Sequence, residues 1–173
     1  TNTQHHYDAI IIGSGPAGEG AAMKLVKAGK SVAMIERHDE VGGGCTHWGT
    51  IPSKALRHSV QQLAEYRNSL IWQDLFGYVD VTYPDMLRSA NSVIGKQVSM
   101  RRSFYNRNRI RLVHGHARFV DKQTVETTSD TLSDQSFSAD NFIVATGSSP
   151  YRPPDLDFNH NAIHDSDSIL QVS

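Results

Sequence analysis

The most reactive side chains of this sequence stand close together, in the run Gly42-Gly43-Gly44-Cys45-Thr46-His47-Trp48-Gly49-Thr50-Ile51-Pro52-Ser53-Lys54-Ala55-Leu56. Cys45 is the single cysteine, so no disulfide can close within the chain. Its thiol is either a nucleophile or a small packing residue. Pro52 suits the opening of a helix predicted over residues 51–68. Lys54 then falls in the first turn, where its charge opposes the positive end of the helix dipole. A solvated helix lysine is the plain reading of Lys54, and a neighbouring electron-rich group is the functional one. The glycine triplet lets backbone approach something bulky.

The elements before this run explain what that bulky group is. Residues 8–12, Asp8-Ala9-Ile10-Ile11-Ile12, form a continuous apolar stretch suited to a strand buried on both faces. Gly13-Ser14-Gly15-Pro16-Ala17-Gly18 follows as a GxGxxG turn opening a helix. Gly13 serves the tight bend, Gly15 the close approach of backbone to a pyrophosphate at the helix N-terminus, and Gly18 the packing of helix on strand. Ala22, Leu25 and Val26 give that helix an apolar face, and Gly29 ends it. A second strand over residues 31–35 leads to Glu36 and Arg37. A carboxylate about 20 residues beyond the turn can accept hydrogen bonds from an adenosine ribose and would repel a 2′-phosphate, which favours FAD or NAD over NADP.

Further along, residues 68–83 read as an irregular connection anchored to the core by Trp72, Phe76 and Tyr78. Within the helix predicted over residues 51–68, the stripe Leu56, Val60, Leu63 and Tyr66 reads as buried. A long helix is expected over residues 84–108, with a solvated basic end at Arg101, Arg102, Arg107, Arg109 and Arg111. The interleaved Phe104 and Tyr105 leave a single-stranded nucleic-acid surface as the alternative to that end. Short segments at 110–114, 117–120, 124–127 and 136–139 suggest a small antiparallel β-meander, with a loop over residues 127–135. His114 and His116 could share a strand face and ligate a metal, yet no third ligand stands at suitable spacing, so no metal site is expected. Residues 141–147 read as a further buried strand ending in the small-residue turn Ala145-Thr146-Gly147.

The composition sets outer limits. At 173 residues with 38% hydrophobic content the chain can bury one sizeable core. A net charge of -1 gives no electrostatic reason to expect nucleic acid or an anionic membrane as partner. A lone thiol and the lack of a membrane-length apolar run point to a cytoplasmic protein.

These motifs fall in the order of a known family. The block at 45–56 resembles the active site of the pyridine-nucleotide-disulfide oxidoreductases, in which two cysteines with four residues between them precede Ile-Pro-Ser-Lys-Ala. The first is Cys45 here, and the second position is Thr50. The resemblance implies an α/β fold: a Rossmann-like FAD-binding domain with a parallel sheet and a small antiparallel meander. It implies a domain at 1–150 and the start of a linker at 151–173, leading toward a nicotinamide-binding domain that this chain lacks.

It also implies cofactor contacts at Gly13, Gly15, Pro16, Ala17 and Gly18, at Glu36 and Arg37, and at Gly43, Gly44, Cys45 and Thr46. Lys54 would lie beside N5 of the flavin, Gly115-His116-Ala117 would meet adenine through backbone, and Thr146 and Gly147 would close over FAD. Lys54, Cys45 and Thr50 are the catalytic candidates. Within the family the block is most similar to members that pass a hydride from NADPH through FAD to NAD⁺, a reaction that needs no thiol. NADP and NAD would then be substrates, the whole protein a homo-oligomer, and this portion alone inactive. The alternatives are a degenerate disulfide reductase using Cys45 alone, and a stand-alone FAD-binding module without catalysis.

Overall fold

The computed structural model describes residues 5–129 and 135–172. The chain forms two compact units: Thr1–Gly43 with Val98–Ser148, and Gly44–Gln97 with Ser149–Ser173.

The first unit is built on a six-stranded mixed sheet. Its strands are β1 (His5–Ile12), β2 (Val32–Glu36), β3 (Arg111–His114), β4 (His116–Phe119), β5 (Thr124–Thr128) and β6 (Gln135–Val144), in spatial order β3-β2-β1-β6-β5-β4. The β3-β2-β1-β6 part is parallel, and β6-β5-β4 is antiparallel. Ile10 and Ile11 of β1 are fully buried, and every residue of β2 is buried, as strands covered on both faces require. The core gathers Ile10, Ala33, Ile35, Val113, Val125, Phe137 and Ala139.

Helix α1 (Pro16–Lys27) joins β1 to β2 and buries Gly18 and Ala22. It ends as its sequence foretells. Gly29 has φ +76, the Gly29 N–H donates to Val26 O at 2.9 Å, and the Lys30 N–H donates to Leu25 O at 3.1 Å. This is the Schellman pattern of a left-handed glycine stop.

Three expectations for this unit need correction. The segment after residue 110 is not a meander strand. It is β3, paired parallel to β2 from Ala33↔Arg111 to Glu36↔His114. Burial of Val113 in the core draws it there, and Gly115, at φ +147, then turns the chain away into β4. The segments at 136–139 and 141–144 are one strand, β6, which pairs with β1 from Phe137 to Val144 while β5 covers only Gln135 to Ser138. Its later half is also less buried than expected, Val144 being 63% exposed. Finally, the basic helix end is not simply solvated: Arg101 is largely buried and ion-paired to Glu19. The loop expected at 127–135 lies partly outside the described residues.

The second unit is helical. It contains most of α2 (Gly43–His47), α3 (Thr50–Asn68), α4 (Leu70–Phe76), the first part of α5 (Tyr83–Arg107) and a 3-10 turn at Ser168–Gln171. Helix α4 replaces the expected irregular connection. Trp72 and Phe76, one turn apart, stack at 5.7 Å between ring centroids, which supports a helix there. They do not anchor it to a core: Trp72, Phe76 and Tyr78 are all exposed, and Tyr78 lies instead beneath the Arg67 guanidinium at 5.4 Å. On α3 the stripe Leu56, Leu63 and Tyr66 is only half-buried, and Val60 is exposed. Asp165 organises the final turn, its Oδ1 accepting the Ser168 N–H at 2.7 Å and the Asp167 N–H at 3.1 Å while Arg152 Nε donates to Oδ2 at 2.7 Å. Among the described residues no helix is long and apolar enough to cross a membrane.

Candidate dinucleotide-binding site

The turn between β1 and α1 is held from three directions. The Gly13 N–H donates to Ile35 O at 2.8 Å, and the Ala145 N–H donates to Ile12 O at 2.8 Å. Gly13 has φ +107, and a Cβ on it would stand 2.3 Å from Ala145 O. A Cβ on Gly18 would stand 2.0 Å from Gly13 O. Both positions therefore admit only glycine. Gly15 is the N-cap of α1 with Pro16 at the first helical position, so the first turn carries no cap side chain and its N–H groups suit an anion. Gly43, at φ +61, faces Gly15 so closely that a Cβ on Gly43 would lie 2.8 Å from Gly15 Cα. Two bare backbone stretches thus meet at the mouth of the helix, a cradle with the chemistry of a pyrophosphate site.

Glu36 closes β2 beside this cradle and is 5% exposed. Its carboxylate is already engaged by neighbouring backbone and side-chain donors. Oε2 accepts the Ser14 N–H at 2.9 Å and the Ser14 hydroxyl at 2.5 Å, and Oε1 accepts the His38 N–H at 3.0 Å. Burial pushes the Glu36 carboxyl up, but the hydrogen bonds from His38 and Ser14 outweigh it and hold the group below its ordinary value. Glu36 is therefore a buried, ionised acceptor. The Ser14 hydroxyl in turn accepts the Gly42 N–H at 2.9 Å.

Tyr105, 1% exposed, reaches this network from α5, with its hydroxyl 3.4 Å from Glu19 Oε2 and 3.5 Å from Ser14 O. Burial drives the Tyr105 hydroxyl far above its ordinary range, so it remains a proton donor. Arg101 Nε donates to the same Glu19 oxygen at 2.9 Å, and Arg102 pairs with Glu40 at 2.9 Å. Sequence reasoning missed Ser14, Glu19, Arg101 and Tyr105 as parts of the site. The available signal was the polar residue between Gly13 and Gly15, together with the helical spacing of Val98, Arg101 and Tyr105.

On the other side of β2, the Gly115 N–H donates to Glu36 O at 2.9 Å. A Cβ on Gly115 would lie 2.9 Å from Thr128 O, so this position too requires glycine. Gly115, His116 and Ala117 thus lie next to the Glu36 end of the sheet, with His116 exposed. Pro16, Ala17, Arg37, Thr146 and Gly147 are all exposed, and the Arg37 side chain is turned to the His38 ring.

The remaining candidates, Gly44, Cys45, Thr46, Thr50 and Lys54, belong to the second unit. There the Trp48 N–H donates to Gly44 O at 3.0 Å, and a Cβ on Gly49 would fall 2.9 Å from that same oxygen and 3.4 Å from Cys45 Cα. This tight turn carries the chain from α2, which holds Cys45, into α3 at Thr50. Thr46 is fully buried, Cys45 is a half-buried free thiol, and Thr50 and Lys54 are exposed one turn apart on α3. Because α3 begins at Thr50, Lys54 is its fifth residue and lies beyond the first turn, which weakens the dipole argument made for it. Among the described residues no group of three or more His, Cys, Asp or Glu side chains could hold a metal ion.

Known proteins are similar to this chain in sequence and in fold. The soluble pyridine nucleotide transhydrogenase of Yersinia pestis (strain Pestoides F) is 53% identical over 176 aligned positions, covering 98% of this chain and 37% of that protein. The protein of the same description from Yersinia pseudotuberculosis (serotype O:1b) matches with the same identity and coverage. The chain thus spans little more than a third of the length of these curated relatives. Among solved structures, the Cu(II) complex of the HOCl-induced flavoprotein disulfide reductase RclA from Escherichia coli superposes with a TM-score of 0.76 at 25% identity, over 96% of this chain and 34% of that one. The same reductase without copper in its description gives 0.73 at 25% identity, over 95% and 34%. The profile of the family described as pyridine nucleotide-disulphide oxidoreductase matches residues 7–172, and the chain belongs to that family.

Proposed function

We propose that this chain is the FAD-binding portion of a flavoprotein that transfers a hydride from NADPH to NAD⁺ and uses no redox disulfide. The observation that carries the reading is Thr50, a residue without redox chemistry, at the position of the family's second active-site thiol, in a sequence whose one cysteine is Cys45. The 53% identity to soluble transhydrogenases supports the same reaction. Bound FAD supplies a group that accepts and returns a hydride. This chain's own residues hold it: the Gly13–Gly18 turn and Gly43 offer bare backbone to the pyrophosphate, and Glu36 accepts from the adenosine ribose. By the family resemblance, Lys54 would supply a positive charge that favours the reduced, anionic flavin, and Thr50 would contribute no redox chemistry of its own. Residues 151–173 lead toward the nicotinamide-binding domain, and the intact protein works as a homo-oligomer in the cytoplasm.

The test is carried out on the intact protein and its Cys45→Ser variant. Both are expected to retain a flavin absorption band after incubation with FAD and desalting, and to pass hydride from NADPH to NAD⁺ at rates within a few-fold of each other. A colourless protein would overturn the FAD assignment. Loss of hydride transfer in Cys45→Ser, with the flavin band kept, would favour single-thiol chemistry instead.

A further inference from the structure

We propose that Ser14 is a positioning residue for Glu36, and that it leaves this carboxylate one open acceptor position, fit for one of the two adenosine ribose hydroxyls and not for both. The inference rests on the reading of the glycine turn and Glu36 as the adenosine end of an FAD site.

A carboxylate offers about four lone-pair positions. Oε2 of Glu36 spends two, on the backbone N–H and the hydroxyl of Ser14, and Oε1 spends one on the His38 N–H. One position on Oε1 remains. The Ser14 hydroxyl has a single proton, and its oxygen already accepts the Gly42 N–H at 2.9 Å, so that proton is directed to Glu36. Ser14 is 0% and Glu36 5% exposed, which keeps water from exchanging with these bonds. The arrangement also joins both ends of the loop after β2, since His38 and Gly42 donate into the same pair of side chains. A ligand hydroxyl therefore meets a carboxylate whose plane and free lone pair are set before it arrives.

The experiment titrates the intact apoprotein with FAD and with FAD analogues lacking either the 2′- or the 3′-hydroxyl of the adenosine ribose, followed by flavin fluorescence. Each titration is repeated in Glu36→Ala, so that the coupling of Glu36 to each hydroxyl is read separately. Coupling to one hydroxyl of about tenfold or more is expected, as for a hydrogen bond to a charged group, and coupling to the other within about twofold of none. Ser14→Ala should reduce the larger coupling several-fold, and Ser14→Thr, which keeps the hydroxyl, should restore it. A residue acting only on overall stability would weaken FAD and both analogues alike and leave the couplings unchanged. Equal coupling of Glu36 to both hydroxyls, or an undiminished coupling in Ser14→Ala, overturns the proposal. The wild-type and Glu36→Ala titrations decide the single-position claim even if Ser14→Ala does not fold. No saturable binding of FAD by the wild-type protein would remove the underlying FAD reading, and the proposal with it.

Discussion

Three glycines of helix α1 and its stop separate steric from conformational demands within a single helix. At Gly20 a Cβ would meet nothing within 4 Å, and the backbone is not in the left-handed region. Gly20→Ala is therefore expected to stabilise the protein by about 0.5–1 kcal/mol, the helix-propensity difference between the two residues. At Gly29 a Cβ would again meet nothing, but φ is +76. Gly29→Ala must carry the left-handed conformation, at a loss of about 1–2 kcal/mol. At Gly18 the conformation is ordinary but the new Cβ would lie 2.0 Å from Gly13 O and 3.1 Å from Gly13 C. Ordinary contact begins more than an ångström further out, and the obstructing atoms are backbone, so helix and strand must separate. Overpacking of this kind costs about 1–3 kcal/mol or more, which outweighs the propensity gain of about 1 kcal/mol. Urea unfolding of the three variants, read by far-UV circular dichroism, should rank them Gly20→Ala above wild type, then Gly29→Ala and Gly18→Ala below it. Only Gly18→Ala should also lose dinucleotide binding. A Gly18→Ala protein as stable as wild type would refute the close contact of α1 with the glycine turn.

The other predictions concern the interior. Phe137→Ala removes a core ring that is 1% exposed and should cost about 3–5 kcal/mol in chemical denaturation. Arg101→Ala leaves the half-buried Glu19 without its charged partner and should cost about 1.5–3 kcal/mol, much of it recovered when Glu19→Ala is added. The Glu36 carboxyl is held below its unfolded value near 4.5, so its contribution to stability is present above that pH and is lost as pH falls through the lower folded value. Glu36→Gln should accordingly flatten the acid side of a stability-against-pH curve, and an unchanged slope below pH 4.5 would count against a paired, ionised Glu36.

Local chemistry made some of this legible beforehand. The glycine turn, the two flanking strands, the Gly29 stop and the position of Glu36 depend on φ values, β-branched runs and fixed spacing within about 30 residues, the length of one βαβ unit. What could not be read depends on distant pairing. Whether residues 111–114 join a meander or β2 is decided by Val113 entering the core, far from its sequence neighbours. The bonds of Glu36 to Ser14 and His38 depend on how the loop after β2 folds back, and no periodicity encodes that. Helix α4 is seven residues long and buries none of its apolar side chains, Leu70, Ile71, Leu75 and Phe76 all being exposed, so the expectation that its aromatic residues anchor to a core pointed away from it.

The continuity of β6 has a consequence in time. Residues of β1 and β6 that face each other, such as His6 and Ser138, are 132 positions apart in the chain. At ordinary rates of synthesis, about 5–20 residues per second, β1 emerges on the order of ten seconds before its partner exists. Through that interval one edge of the Ile10-Ile11-Ile12 strand has no neighbour, and pairing it later requires closure of a very long loop. The nascent chain thus carries β1 well before the segment that covers its open edge has been made. The order of strands therefore makes β1–β6 docking one of the longest-range steps in assembling the sheet.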